Sequence, residues 1–201
     1  DMPLDRAACI GCGVMTGFGA VTNTAKVAAG ETVAVVGCGG VGMAAINGAF
    51  VAGAARIIAI DTNPVKLQLA AKIGATDLVN PNDGDPVERV RDLTGGGVHH
   101  SFECLGLKKT SEQCFEMLAY GGAATIVGMV PFGEKIELHG FDFLRERKVQ
   151  GSSMGSNRFR TDMPRLIELY LQGRLHLDDW ISNKITLDEI NDGFKAMKDG
   201  K

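Results

Sequence analysis

The stretch "TVAVVGCGGVG", from Thr32 to Gly42, decides the fold of this chain. Its first half is an apolar run rich in valine, and its second half is a cluster of glycines. An apolar, β-branched run that ends at glycine is typical of a strand buried on both faces of a sheet. The small, uncharged residues after Gly42 favour a helix that packs closely against that strand. We therefore predict a strand, a tight turn and a helix here.

Strand and helix patterns continue to alternate along the chain. Asn63 with Pro64, and Asp85 with Pro86, each predict the start of a helix, because the polar side chain caps free N–H groups and proline needs no hydrogen bond there. Another helix is predicted at residues 111–118. Further strands are predicted at residues 56–60, 77–80, 98–103, 123–128 and 148–153. This alternation predicts an α/β fold with a doubly wound, parallel, six-stranded sheet of the Rossmann type.

One buried helix face is predicted by spacing alone. Val65, Leu69 and Ile73 recur at four-residue intervals after Pro64, and Gly74 follows them. We expect these three side chains to face the sheet and the helix to end at Gly74.

The pattern changes near residue 150, after which helices follow one another without strands. Apolar residues at positions 166–171 form a helical stripe that closes at Gly173, and Thr186 with Glu189 forms a capping box ahead of a last helix. We predict three parts from this change: a connector at residues 1–13, a nucleotide-binding domain at 14–150, and a helical segment at 151–201.

The composition narrows the possible classes of function. The chain has 201 residues, of which 45% are apolar, and a formal net charge of −3. This balance favours neither nucleic acid nor a membrane surface as a partner. Residues 33–55 carry no charge over a length that would span a bilayer, but their glycines and Asn47 favour the strand, turn and helix. Five cysteines without disulfide-like spacing favour reduced thiols and a cytoplasmic protein.

The glycine cluster predicts a dinucleotide site. Gly37, Gly39 and Gly42 have the spacing G-x-G-x-x-G between a strand and a helix, where glycines permit a tight turn and the approach of a pyrophosphate. Asp61 ends the next strand, nineteen positions after Gly42. A carboxylate there accepts hydrogen bonds from ribose hydroxyls and repels a 2′-phosphate, which favours NAD over NADP. The alternative is a glycine-rich turn with an unrelated helix-capping aspartate.

Cys12 is the candidate metal ligand, and it lies in "GCGVMTGFGAV", residues 11–21. A thiolate suits Zn²⁺, and a catalytic zinc needs three protein ligands with a fourth position open. A small buried core residue is one alternative, and a Cys9–Cys12 redox pair is another. The spacing alone leaves all three open.

Five motifs together carry a family resemblance: "GCGVMTGFGAV", "VAVVGCGGVG", "RIIAIDTNPVK", "GATDLVNP" and "SFECLG". In this order they resemble the zinc-dependent alcohol dehydrogenases of the medium-chain family, and within it the glutathione- and mycothiol-dependent formaldehyde dehydrogenases. The resemblance implies the C-terminal part of such an enzyme, namely its cofactor domain and a segment returning to the catalytic domain. Position 1 is aspartate and no signal peptide is visible, so we expect a piece of a longer protein.

The resemblance also implies roles for residues. Cys12 matches the third protein ligand of the catalytic zinc, while the other two ligands, a proton-relay hydroxyl and a structural zinc lobe belong to a domain outside these residues. A pyrophosphate-binding arginine is expected beyond Lys201. No catalytic side chain is therefore assigned within the chain, and its four histidines do not replace the ligands. The implied cofactor contacts are Thr16, Gly37, Gly39, Gly40, Val41, Gly42, Asp61, Lys66, Cys104, Leu105, Val127, Met129, Ser152 and Met154.

The sequence therefore predicts the cofactor-binding portion of an NAD- and zinc-dependent dehydrogenase that acts on a small alcohol or aldehyde. We expect the isolated chain to lack both catalytic zinc and activity. A stand-alone nucleotide-binding module and a zinc-free medium-chain reductase are the alternatives. The resemblance further implies a homodimer or higher assembly, joined through the sheet edge that runs from residues 134–140 to 148–153.

Overall fold

The computed structural model describes residues 1–198 and contains a six-stranded parallel sheet. Its strands are β1 (Thr32–Val36), β2 (Arg56–Ile60), β3 (Asp77–Val79), β4 (Val98–Glu103), β5 (Leu118–Ile126) and β6 (Lys148–Gly151). Their spatial order is β3-β2-β1-β4-β5-β6, and all neighbours are parallel. The predicted doubly wound sheet is confirmed. The strand order reverses between β1 and β4, and ligands bind outside the carboxyl ends of strands at such a point.

Helices cover both faces of this sheet. The α-helices of residues 1–198 are α1 (Leu4–Cys9), α2 (Met15–Gly19), α3 (Gly40–Ala52), α4 (Pro64–Lys72), α5 (Pro86–Thr94), α6 (Lys108–Glu116), α7 (Phe159–Leu171) and α8 (Ile190–Lys198), of which α3 to α6 pack on the strands. π-helical turns at Ile10–Val14 and Ala20–Ala25 extend α2 at both ends. Within residues 1–198, no helix has both the length and the apolar character needed to cross a membrane.

The two faces of the sheet bury separate cores. Val33 and Val35 of β1 pack with α3 and α4 on one face, while Ala34 and Val36 pack with α5 and α6 on the other. Alternate residues of one strand are thus buried on opposite sides, which explains why the strand is apolar throughout.

Side chains start two of the helices as predicted. Asn63 Oδ1 accepts a hydrogen bond from the backbone N–H of Val65 at 2.9 Å, and Asp85 Oδ1 accepts one from that of Val87 at 2.7 Å. Helix α6 begins at Lys108, three residues before the predicted start, and Leu118 belongs to β5 instead of to the helix.

The predicted buried face of α4 is partly wrong. Leu67, Ala70 and Ile73 are buried, whereas Val65 is 74% exposed. The buried residues recur every three positions, at 67, 70 and 73. Val65 lies about 140° around the helix from Ala70, which places it on the solvent side.

Helices without strands follow β6, as the sequence predicted. The capping box ahead of α8 is present, with the Thr186 N–H donating to Glu189 Oε2 at 2.8 Å. The apolar face of α8 is exposed, since Phe194 is 61% and Met197 74% accessible. Residues 134–139 form no strand, so β6 alone is the sheet edge on this side.

Candidate dinucleotide and metal site

Five predicted cofactor residues lie along one edge of the sheet. Gly37, Asp61, Cys104, Val127 and Ser152 each directly follow the last residue of a strand, of β1, β2, β4, β5 and β6 respectively. Because all strands are parallel, these residues share the carboxyl edge of the sheet. Ligands of open α/β sheets bind along this edge.

Two of the four loop glycines are required by the fold. Gly37 has φ +94°, and a Cβ added to it would lie 2.6 Å from Leu105 Cγ. A Cβ on Gly42 would overlap the carbonyl oxygen of Gly37. By contrast, a Cβ on Gly39 or Gly40 would meet no atom within 4 Å, and both residues are exposed. Packing within the chain does not explain those two glycines, whereas the close approach of a ligand to the backbone does.

The N-terminus of α3 offers free donors. Its cap residue is Gly39, and no side chain among residues 1–198 caps it, although Asn63 and Asp85 cap α4 and α5. The first turn carries no acidic residue, and the first bond of the helix runs from the N–H of Met43 to the carbonyl oxygen of Gly39. The N–H groups of the first turn and the helix dipole together favour an anion such as phosphate.

Hydrogen bonds hold the side chain of Asp61 against the glycine loop. Its Oδ2 accepts a hydrogen bond from the backbone N–H of Cys38 at 2.7 Å, and its Oδ1 accepts one from that of Asn63 at 2.8 Å. Both oxygens keep a lone pair for further donors. The sequence predicted the ribose contact of Asp61 but not this contact with the loop, which no sequence pattern indicates.

Cys38 belongs to this loop, and its buried thiol is unreactive. Burial, with a smaller contribution from the charge of Asp61, raises its pKa to about 12, although the charge of Lys66 acts in the opposite direction. Asp61 bonds both to Cys38 and to Asn63, the cap of α4, so the start of this helix lies beside the loop. Val41 and Lys66 are both half-buried.

A cleft of about 620 Å³ opens beside Asp61. Thr62 after β2, both Leu105 and Leu107 after β4, and Pro81, Gly84 and Pro86 are among the residues that line it. The cleft combines apolar walls with the carboxylates of Asp61 and Asp85, of which Asp85 already caps α5, and this lining suits a flat heterocycle linked to a ribose. Leu105 is the predicted contact residue that lines it together with Asp61.

Three further predicted contacts, Thr16, Ser152 and Met154, lie at the other end of the edge. Thr16 Oγ1 lies 3.8 Å from Met154 Sδ, and Ser152 Oγ lies 2.8 Å from Thr24 Oγ1. The turn that holds Met154 is left-handed, and its Gly155 packs so tightly on α2 that a Cβ would lie 2.7 Å from the carbonyl oxygen of Thr16. Thr16, Ser152 and Met154 are thus brought together, while Met129 is 91% exposed.

Cys12 lies at the same end. Its π-helical turn runs directly into α2, where Thr16 follows four positions later on the same helical stretch. The thiol is exposed and free, which contradicts the interpretation as a buried core residue. Cys9 is half-buried, and its thiol donates to the carbonyl oxygen of Asp5 at 3.6 Å. An exposed thiol fits one position of a zinc site, but residues 1–198 contain no group of three or more metal-ligating side chains.

Two of the four histidines lie at the amino edge of the sheet. His100 Nε2 pairs with Glu31 Oε2 at 2.9 Å, and His99 Nδ1 lies 2.8 Å from Thr32 Oγ1. Both are therefore at the edge opposite to the strand ends that carry the predicted cofactor residues.

Glu103 is the residue that the prediction missed. It ends β4 with 0% exposure and lies under the loops that carry Leu105 and Val127. The sequence holds a signal for it, because a carboxylate that closes an otherwise apolar strand needs a partner when it is buried.

An uncapped helix after the first strand of a doubly wound sheet, with a carboxylate after the second, defines a dinucleotide-binding domain. Residues 40–172, more than half of the chain, match the family model described as zinc-binding dehydrogenase. The chain belongs to the zinc-binding dehydrogenase family.

Named relatives agree with this assignment. S-(hydroxymethyl)glutathione dehydrogenase of Synechocystis sp. is 43% identical over 96% of this chain and 53% of its own length. The crystal structure of benzyl alcohol dehydrogenase from Acinetobacter calcoaceticus has a TM-score of 0.96 at 32% identity, covering 100% of this chain and 55% of that chain. The crystal structure of a putative zinc-binding dehydrogenase from Sinorhizobium meliloti, bound to NADP, has a TM-score of 0.84 at 34% identity and covers 91% of this chain and 53% of that chain. The chain spans about half the length of the curated relatives it matches.

Proposed function

We propose that this chain is the cofactor-binding portion of an NAD- and zinc-dependent alcohol or formaldehyde dehydrogenase, which transfers a hydride from a small alcohol to NAD. The observation that carries the proposal is the uncapped N-terminus of α3 beside the Asp61 carboxylate. Relatives named for alcohols and for a hydroxymethyl thiol adduct support this substrate class. The five free cysteines agree with a cytoplasmic protein.

Each half of the cofactor has its own residues in this proposal. The N–H groups of the first turn of α3 bind the pyrophosphate, the Asp61 carboxylate accepts from the adenosine ribose, and the cleft lined by Leu105 takes the adenine. The nicotinamide half lies against Thr16 and Val127. Val41, Lys66, Cys104, Met129, Ser152 and Met154 complete the proposed contacts.

Cys12 supplies one ligand to the catalytic metal, and residues outside this chain supply the others. Bound zinc polarises the alcohol oxygen and lowers its pKa. In this scheme residues 1–13 connect to the catalytic domain, 14–150 bind the cofactor, and 151–201 return to the catalytic domain. A cysteine at the position of Cys12 and a carboxylate at that of Asp61 disfavour a zinc-free reductase, since they suit a zinc ligand and NAD respectively.

A non-catalytic nucleotide-binding module is the second candidate. It is favoured by the glycine loop, the Asp61 carboxylate and the cleft beside it, which lie within this chain and need no metal to hold a nucleotide. The mass of the natural protein separates the two candidates: a mature chain near 21.3 kDa favours the module, whereas roughly twice that mass favours the enzyme.

Replacing Asp61 with asparagine is expected to weaken NADH binding about tenfold while NADPH binding is weakened less or improves, since the carboxylate that repels a 2′-phosphate is lost. Asparagine keeps one oxygen for the N–H of Cys38, but its NH₂ group then faces the N–H of Asn63, so a loss common to both cofactors reports on this disturbance and only the difference between them reports on discrimination. Calorimetric titration of the wild type and the Asp61→Asn variant with both cofactors measures this. Equal losses for NADH and NADPH would rule out a role of Asp61 in discrimination.

We also infer that two chains pair through β6. Edge strands invite pairing, and symmetric pairing closes a dimer. The N–H of Ser152 donates to the carbonyl oxygen of Ile126 in β5. Because successive residues of a strand point to opposite sides, the N–H of Gly151 points away from β5, to the open edge. The wild-type chain is expected to sediment as a dimer or larger assembly at micromolar concentration. Gly151→Pro is expected to shift this assembly towards the monomer, whereas Gly151→Ala is expected to leave it unchanged. A wild-type monomer of 21.3 kDa would refute the pairing.

A further inference from the structure

The carboxylate of Glu103 is fully buried and is held by neutral donors. Its Oε1 accepts hydrogen bonds from the N–H of Leu105 at 3.0 Å, the N–H of Gly106 at 2.9 Å and Thr110 Oγ1 at 2.7 Å. Its Oε2 accepts a second bond from Gly106 at 3.0 Å. Among residues 1–198, no cationic side chain forms an ion pair with it. A buried carboxylate is costly, so these donors must compensate for lost water.

The same residue joins two loops. Its backbone oxygen accepts from the N–H groups of Val127 and Gly128, both at 2.9 Å, while its side chain holds the loop after β4. The two loops also touch directly, since a Cβ on Gly106 would lie 2.6 Å from the carbonyl oxygen of Met129. A Cβ on Gly128 would in turn overlap the N–H of Gly106. A shift of either loop therefore moves the other.

We propose that Glu103 is a positioning residue for the cofactor site: its side chain fixes the loop of Leu105, which lines the cleft, and its backbone oxygen fixes the loop of Val127. The inference rests on the proposed NAD site, because both loops carry proposed cofactor contacts. An acceptor-only group is required, since two N–H groups and one hydroxyl converge on it. Glutamine has the same size, but its NH₂ group would confront one of these donors, and the loops would separate.

Ser101 provides a matched control. It lies two residues earlier on β4, is equally buried, and its hydroxyl donates to the carbonyl oxygen of Cys114 at 2.7 Å. Strand alternation places it on the same face of the sheet as Glu103, but one step away from the carboxyl edge. Ser101→Ala thus removes a buried hydrogen bond without touching either loop.

The test compares Glu103→Gln and Ser101→Ala in the full 201-residue chain, well below the unfolding temperature of each variant. Calorimetry and the fluorescence of bound NADH report on the cleft, and thermal unfolding reports on stability. We expect Glu103→Gln to weaken NADH binding at least about tenfold and to alter the emission of bound NADH. Ser101→Ala is expected to lower the melting temperature but to bind NADH within about twofold of wild type.

Thr110→Val adds a milder variant, because it removes one donor and leaves the carboxylate; we expect an intermediate loss of NADH affinity. The inference would be overturned if Glu103→Gln bound NADH as tightly as the wild type, or if Ser101→Ala weakened NADH binding as much as Glu103→Gln does. Neither result would contradict the NAD site itself. If Glu103→Gln does not fold, Thr110→Val decides the matter in the same way. A wild-type chain that does not bind NADH would instead refute the proposed function.

Discussion

Gly42→Val is expected to abolish NADH binding and to lower the free energy of unfolding by about 3 kcal/mol, the upper range for overpacking against a rigid backbone. A Cβ at this position would overlap the carbonyl oxygen of Gly37, which is main chain and cannot rotate away. The start of α3 must therefore move off β1, and the N–H groups of its first turn move with it. Denaturant unfolding and calorimetric titration measure the two effects.

Gly40→Ala is the matched control for stability. Gly40 is the first residue of α3, and a Cβ there meets no atom within 4 Å. Alanine is a better helix former than glycine, so the free energy of unfolding is expected to stay equal or rise slightly. A Gly42→Val variant as stable as Gly40→Ala, with NADH affinity retained, would show that the third glycine does not set the approach of α3 to β1.

Cys12→Ala is expected to remove catalytic zinc and dehydrogenase activity from a protein that also carries the other two ligands, because two ligands hold zinc far more weakly than three. NADH affinity is expected to change by less than about twofold, since the thiol lies outside the proposed cofactor contacts. The 201-residue chain itself is expected to hold no stoichiometric zinc and to oxidise no alcohol. Metal analysis and steady-state kinetics measure these outcomes.

Cys9→Ala serves as the control for the thiol. Cys9 is half-buried and bonds to the carbonyl oxygen of Asp5, so its loss is expected to affect stability and not metal content. If Cys9→Ala removed zinc as completely as Cys12→Ala, a joint role of both cysteines would replace the single-ligand assignment. One tightly held zinc in the 201-residue chain would contradict the assignment of Cys12 as the single zinc ligand of this chain.

Features that depend on local chemistry were predictable from the sequence. Apolar, β-branched runs placed β1 and β2 correctly, and the caps at Asn63 and Asp85 started α4 and α5 where expected. Glycine spacing identified the turn, because Gly37 needs a positive φ and Gly42 has no room for a side chain. These properties belong to a residue and its immediate neighbours.

Features that depend on contacts distant in sequence were not predictable. The hydrogen bond from Cys38 to Asp61 joins residues that two different strands bring together. The role of Glu103 depends on the packing of Gly106 against Gly128, which no single motif records. Val65 was misplaced because only the orientation of α4 on the sheet decides which side of the helix is buried. Tertiary packing supplied this information.

The central claim is that the free N–H groups at the start of α3 bind the pyrophosphate of NAD beside Asp61. Residue-resolved amide spectra of the chain, recorded during a titration with NADH, test it most directly. We expect the largest shifts at Gly39, Gly40, Val41 and Gly42, saturating at one NADH per chain and requiring about tenfold more NADPH. Saturable NADH binding that leaves these four amides unshifted, or tighter binding of NADPH, would contradict the claim.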